Sequence, residues 1–354
     1  MIWIAWLGLI GAGLLFRRSK IVSALIVIFM ILAIGGRTQG ADYGIYANEY
    51  LWSLQGFYKG AHYLGYLLLE MFAHQNGVEF QNFLIWVATI SSVLYYLGIR
   101  RITRNSNIVY ALFLLYPFTH EAIQTRTFLA DSIILCALPF LLREKETKKR
   151  MISDYALFFV LSAIAVSMHF LVAAYIIAAV LYIVLPKRGS LLKIFIGLVI
   201  SYCLIVTNIL PKIVEPLNTR VAYWLSSRTG FGVVFPIVFT IGIWILGEYI
   251  IRIMRHKEMK YVGNLPLDNV DKFKDYILFL IPMFVYDITF NRAWRLFLVL
   301  LYACVAEILY SSRINRVERS SIMFFTAILI VGIFIYEGEP GLITGIFANN
   351  AFFG

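Results

Sequence analysis

The chain has 354 residues, 61% of them apolar and only 14% charged, with a net charge of +11. A soluble domain carries about 25% charged residues, so this composition excludes one. The basic residues sit in short clusters between apolar runs rather than on one surface, which excludes nucleic acid as a partner.

The apolar runs are roughly 14 to 21 residues long, the length that crosses about 30 Å of hydrocarbon as helix. The first, 3–16, lacks the basic segment that opens a secretory signal, and Arg17 and Arg18 follow it. It reads as an uncleaved first helix with its N-terminus outside. Further spans are predicted at 21–35, 80–99, 107–120, 127–142, 153–168, 170–185, 192–210, 231–251, 276–290, 296–310 and 321–336. The expectation is an all-α polytopic membrane protein of twelve transmembrane helices, one integral membrane domain over 1–354, with both termini outside. Its outer loops are 37–79 and 211–230, and its long cytoplasmic loop is 252–275. The stretch from Ala61 to Gln75, short for a span and interrupted by His62, Glu70 and His74, is predicted as an interfacial or re-entrant helix on the outer side.

Charge fixes the orientation. Of 31 Lys and Arg residues, 23 lie in the loops 17–20, 100–104, 143–150, 186–193, 252–274 and 311–320, which are therefore assigned to the cytoplasm. The other eight are Arg37, Lys59, Arg126, Lys212, Arg220, Arg228, Arg292 and Arg295. All fall at or beyond the outer boundary, and none is left near the bilayer centre, where it would cost about 2.5–3.5 kcal/mol. Cys136, Cys203 and Cys304 lie inside apolar runs, so no disulfide framework and no thiolate metal site is implied. No metal or cofactor is expected.

Arginines on the outer side run against the positive-inside bias, so each asks for an anionic partner. Arg37 follows the second helix, Arg126 precedes the fifth, Arg292 and Arg295 lie between the tenth and eleventh, and His169 sits in the turn between the sixth and seventh. Alone, each has a structural reading. An arginine at a helix end can snorkel to headgroups. By helical spacing Asp131 would neutralise Arg126 and Asp287 would neutralise Arg295. The tyrosines of the first outer loop and Trp52 would form an aromatic belt, and His169 would pack.

Together, at one depth, they suggest one pocket. Guanidinium forks suit a diphosphate, a carboxylate and an imidazole can move a proton off a sugar hydroxyl, and aromatic rings offer sugars a flat face. The expected diphosphate ligands are Arg37, Arg126, Arg292 and Arg295. The expected sugar contacts are Tyr43, Tyr46, Glu49, Trp224 and Trp294. Asp42 and His169 are the acid–base candidates, with His169 favoured as base and Asp42 orienting the acceptor.

At these residues the chain resembles a known family. "RTQGADYGIY" (37–46) resembles the first outer-loop signature of EpsG-like proteins, a Wzy-type group of bacterial polysaccharide polymerases. "RTFLADSIILCALPFLLREK" resembles the family's arginine-led helix ending in a basic loop, "FFVLSAIAVSMHFLVAAYIIAAVLY" its helix ending in a histidine, and "NRAWRLFLVLLYA" a later arginine-led helix. Thr127 stands where glutamine is expected, and Phe170 and Leu171 follow His169 in place of small or hydroxyl residues.

The resemblance implies a GT-C-like glycosyltransferase of the bacterial inner membrane. A growing glycan would leave its polyprenyl diphosphate and join a sugar hydroxyl of the next lipid-linked repeat unit, outside the cytoplasm. Chain-length regulator and flippase proteins are the implied partners besides the bilayer. A flippase of lipid-linked sugar and a glycan ligase remain alternatives; the flippase would want a central cavity and inverted repeats, and no repeat is evident.

Overall fold

A computed structural model describes residues 2–40, 42–55, 63–185 and 231–353, with a few isolated positions between 199 and 216. The predicted span at 192–210, the loop at 211–230 and Trp224 lie outside the described residues. Ten helices precede that interval: α1 (Ile2–Leu15), α2 (Lys20–Gly35), α3 (Tyr43–Trp52), α4 (Leu64–Gln75), α5 (Phe80–Ile102), α6 (Ser106–Leu115), α7 (Phe118–Ile123), α8 (Thr125–Leu142), α9 (Lys148–Met168) and α10 (Ala173–Val184). After it come α11 (Val234–His256), α12 (Leu267–Lys274), α13 (Trp294–Leu309), α14 (Arg316–Tyr336) and α15 (Glu339–Ala348). Tight 3-10 turns run over Asp275–Val285 and Ile288–Ala293. A two-residue hairpin, β1 (Tyr261–Val262) with β2 (Leu265–Pro266), precedes α12.

The protein is an all-α, membrane-embedded bundle. Among the described residues α5, α8, α9, α11 and α14 are long and apolar enough to cross a membrane. Polar caps start the long helices at the basic loops. Thr147 accepts from the Arg150 N–H (3.2 Å), and Asn315 and Glu318 form a reciprocal capping box. Three helices, α6, α8 and α13, are buried almost throughout and form the centre. Gly98 of α5 lets α8 approach; a Cβ there would stand 3.0 Å from the Leu135 backbone carbon.

The basic loops gather at one end. Arg18 donates to Asn105 (3.0 Å), Arg17 lies over Tyr310, Thr103 donates to Glu307, and Asn264 donates to the Arg101 carbonyl. Asn269 donates to the Leu142 carbonyl, and Lys257 pairs with Glu318. Loops assigned to one compartment by charge thus touch one another. Arg37, Arg126, His169 and Arg292 lie at the opposite end, the first three buried and Arg292 half-buried.

Four features differ from the expected elements. The span expected at 107–120 is broken at Pro117. Tyr116 before it is extended (φ −161°, ψ 133°), as the proline ring requires, and α7 starts afresh. The span expected at 276–290 is 3-10 rather than α-helix, with Pro282 inside it. The first outer loop contains α3, and the long basic loop contains the hairpin and α12. The helix expected within 61–75 is present as α4. Its start, Tyr63, stacks on His169, and its end leads to Val78, whose carbonyl accepts from Tyr50 (2.5 Å). Both ends of α4 therefore lie at the arginine end, so it runs across the bundle.

Candidate functional site

The site is built where α2, α8, α9 and the 288–293 turn reach the end of the bundle opposite the basic loops. Arg37 follows α2 and is fully buried. Its backbone is held by residues from the far end of the chain: it bridges to Asn350, Thr38 N–H donates to the Asn349 carbonyl (2.9 Å), and Ala351 N–H donates to the Gly36 carbonyl (2.7 Å). Gly40, at φ +132°, folds the loop back so that a Cβ there would sit 3.6 Å from the Arg37 side chain. None of the three Arg37 guanidinium nitrogens has a hydrogen-bond partner among the described residues. Burial lowers its pKa against the pull of Tyr46 and Asp42.

Arg126, in the first turn of α8, is held differently. Its Nη1 pairs with Glu49 Oε2 of α3 at 2.5 Å. Its guanidinium carbon lies 4.5 Å from the ring centres of both Tyr46 and Tyr63, and 5.6 Å from Tyr66. Such contacts contribute about 0.5–2 kcal/mol each. The spacing argument had paired Arg126 with Asp131; the ion pair instead comes from a residue 77 positions away.

Arg295 opens α13 and lies deeper. Its Nη2 donates to Gln124 Oε1 (2.6 Å), and its Nη1 stands 3.1 Å from Glu121 Oε2, too poorly aligned to count as a hydrogen bond. Asp131 is the second carboxyl acting on it. Asp287, the counter-ion expected from helical spacing, instead caps the 288–293 turn by accepting from the Thr289 N–H (2.7 Å). Arg295 is a paired, internal charge. Its neighbour Arg292 makes no hydrogen bond or ion pair among the described residues. Its pKa is lowered by burial and by Arg295, while Tyr46, Asp42 and Tyr63 act the other way.

Asp42 stands at the N-terminus of α3 without capping it, half-buried and likewise unpaired among the described residues. The Tyr46 hydroxyl is the common neighbour. Burial raises its pKa, and Arg126, Asp42, Arg37 and Arg292 all act on it. Four groups expected to share a pocket thus surround one phenol.

His169 is the extended residue between α9 and the 170–172 turn, with its ring flat against Tyr63 at 5.1 Å and 18°. Its Nδ1 accepts from the Leu171 N–H (3.3 Å). In the neutral imidazole that bond leaves the ring proton on Nε2, which is then a donor rather than an acceptor.

Tyr43 donates to Gln81 (3.2 Å) at the pocket's edge. Trp294 is not in the pocket. It is fully buried, donates its indole N–H to Thr240 (2.8 Å), and packs edge-on against Phe239 and Phe284.

Sequence reasoning passed over Tyr63, Tyr66 and Glu70. Glu70 is buried on α4 with Oε1 unpartnered; burial, then Glu49, raise its pKa to about 8, against Arg126. A carboxylate in the apolar run "LGYLLLEMFA" was the available signal.

The fold defines an all-α, membrane-embedded protein with a cluster of arginines at one end. The chain belongs to the EpsG family, whose model it matches over residues 20–338. Membership suggests a polymerase-like role in polysaccharide biosynthesis. No curated protein and no solved structure matches it.

Proposed function

We propose that this chain is a polysaccharide polymerase that moves a growing glycan from polyprenyl diphosphate to a sugar hydroxyl of a lipid-linked repeat unit, at the outer face of a bacterial cell membrane. The observation that carries the reading is a pair of guanidiniums without partners among the described residues, Arg37, which is fully buried, and Arg292, which is half-buried, beside Arg126. Desolvated cations without counter-ions are costly unless a ligand supplies the charge, and a diphosphate supplies it to two forks at once. All of these cations lie at one end among the described residues, which separates the site from the midplane cavity of a transporter.

In the reaction, the bond from the donor's anomeric carbon to the diphosphate oxygen breaks, and its electron pair leaves with the diphosphate. The acceptor hydroxyl oxygen forms the new bond to that carbon and gives up its proton. Arg37, Arg292 and Arg126 stabilise the charge growing on the departing diphosphate. Because His169 Nδ1 is committed to the Leu171 N–H, the acceptor's proton passes to Asp42, and the His169 Nε2–H keeps its proton and serves only as a hydrogen-bond donor. This reverses the roles favoured from sequence, for the stated hydrogen-bonding reason. Tyr43 and Tyr46 border the acceptor sugar, and Glu49 holds Arg126 in place.

The test is purified protein in liposomes with a lipid-linked repeat unit. A ladder of longer glycans with released polyprenyl diphosphate is expected. Translocation of the lipid without a ladder overturns the reading in favour of a flippase.

A further inference from the structure

Away from the arginines, α1, α6, α14 and α15 enclose an apolar groove of about 510 Å³, within the range of small-molecule sites. Its walls include Trp3, Trp6, Leu14, Leu115, Ile330 and Ile343. Only two hydroxyl residues line it, Thr326 and Thr344, and the Thr344 hydroxyl is turned back to the Pro340 carbonyl (2.7 Å). The Thr326 hydroxyl, buried and without a partner among the described residues, is the one polar group left over in an otherwise hydrocarbon lining.

Its direction matters. Leu14 lies at the basic end, where its carbonyl accepts from Tyr310, and Trp3 lies at the other end against Phe347. The eleven residue steps from Trp3 to Leu14 span about 16 Å of helix. At the upper end, Pro340 and Ile343 follow closely on Glu337. The Glu337 carboxylate accepts from Asn291 (2.5 Å) and pairs with His120 (2.6 Å). Asn291 immediately precedes Arg292. The apolar groove thus runs along the bundle and ends one polar layer from an unpaired cation. The flanking side chains Phe324, Ile328 and Val331 of α14 and Ile4 and Leu7 of α1 are exposed, as bilayer-facing residues are.

We propose that this groove holds the isoprenoid tail of the lipid-linked substrate while the arginine pocket holds its diphosphate. The proposal rests on the lipid-linked donor of the preceding reading. An amphiphile with a dianionic head and a long, methyl-branched hydrocarbon tail fits a cationic pocket and an apolar groove joined end to end. An ordinary phospholipid needs no dedicated groove, because it already lies against the exposed faces.

The experiment uses the full chain in phosphatidylglycerol–phosphatidylcholine nanodiscs, photolysed with polyprenyl diphosphate carrying a diazirine in its tail. Adducts are expected on groove residues such as Trp6, Leu115 and Ile330. Unlabelled polyprenyl diphosphate should displace them and excess phosphatidylglycerol should not. Ala327→Trp, a substitution at an exposed groove-lining position, should remove the adducts and raise KM for the lipid-linked substrate roughly tenfold or more, with the folded fraction unchanged. Adducts elsewhere, equal displacement by phosphatidylglycerol, or a second copy of the chain cross-linked through the groove would each overturn the proposal. Groove adducts without any glycan ladder would keep the tail site and remove the polymerase reading. A ladder without groove adducts would do the reverse.

Discussion

Tyr63 lies between two side chains from separate helices, its ring flat on His169 at 5.1 Å and 4.5 Å from the Arg126 guanidinium carbon. Both contacts use the faces of the ring. Tyr63→Phe keeps both ring contacts and is the reference for the next variant. Tyr63→Leu removes a cation–π contact and a ring stack, each about 0.5–2 kcal/mol, and turnover should fall roughly tenfold or more. Equal activity of the two variants in the liposome assay would show that the stack does not support the reaction.

Arg292 and Arg295 are three residues apart and should respond oppositely to glutamine. Arg295→Gln leaves Glu121 and Asp131 without their cation, at a cost of about 3–5 kcal/mol, read as a lower Tm in detergent. Arg292→Gln deletes a half-buried charge that has no partner among the described residues. It should melt at or above the parent Tm while losing retention of polyprenyl diphosphate. A large loss of Tm in Arg292→Gln would mean that this arginine is structural.

Glu70 should give the protein a pH-dependent stability. Its carboxyl faces Glu49 and Tyr50 of α3, Tyr66 of its own helix and Arg126 of α8. With its pKa raised from 4.5 to about 8, the folded state holds a proton that the unfolded chain releases. The associated stability is fully present below the unfolded pKa and is lost as pH rises through the folded value. Thermal melts from acid to mildly alkaline pH should show this decline, and Glu70→Gln should flatten it. An unchanged slope in that variant would assign the decline to other groups.

The proton-transfer assignment divides two variants. Asp42→Asn should reduce turnover at least about a hundredfold, the low end for loss of a general base. His169→Gln keeps a donor in place of the Nε2 proton and should lose less. If His169→Gln is the dead variant and Asp42→Asn remains active, the imidazole is the base and its bond to the Leu171 N–H gives way during turnover.

Much of the bundle was legible because the bilayer imposes long apolar runs and charge sorts the loops. The break at Pro117 went unread in the expected span at 107–120, although the ring disfavours a helical Tyr116. Helix α15 was harder: ten residues with two glycines carry no span signal. The counter-ions were not legible from local spacing. Helical periodicity points from Arg126 to Asp131 and from Arg295 to Asp287, whereas the structure supplies Glu49 and Glu121 from other elements. Periodicity finds neighbours along one helix, and a packed bundle brings charges together from outside that range. Trp294 illustrates the same point in reverse, because its position beside the arginines says nothing about which way the indole turns.

The pairing of Arg37 with Asn350 gives the pocket a place in time. Asn350 also donates to the Leu32 and Ala33 carbonyls at the end of α2, 318 and 317 positions earlier in the chain. During synthesis those early carbonyls and the Arg37 backbone wait while every intervening helix is made and inserted. A nascent chain can therefore hold α2 in the bilayer without a formed anion pocket beside it. The arginine pocket is completed late in biogenesis, after the bundle has closed around its central helices, and a chain interrupted before residue 349 would lack the bridge that holds the Arg37 backbone.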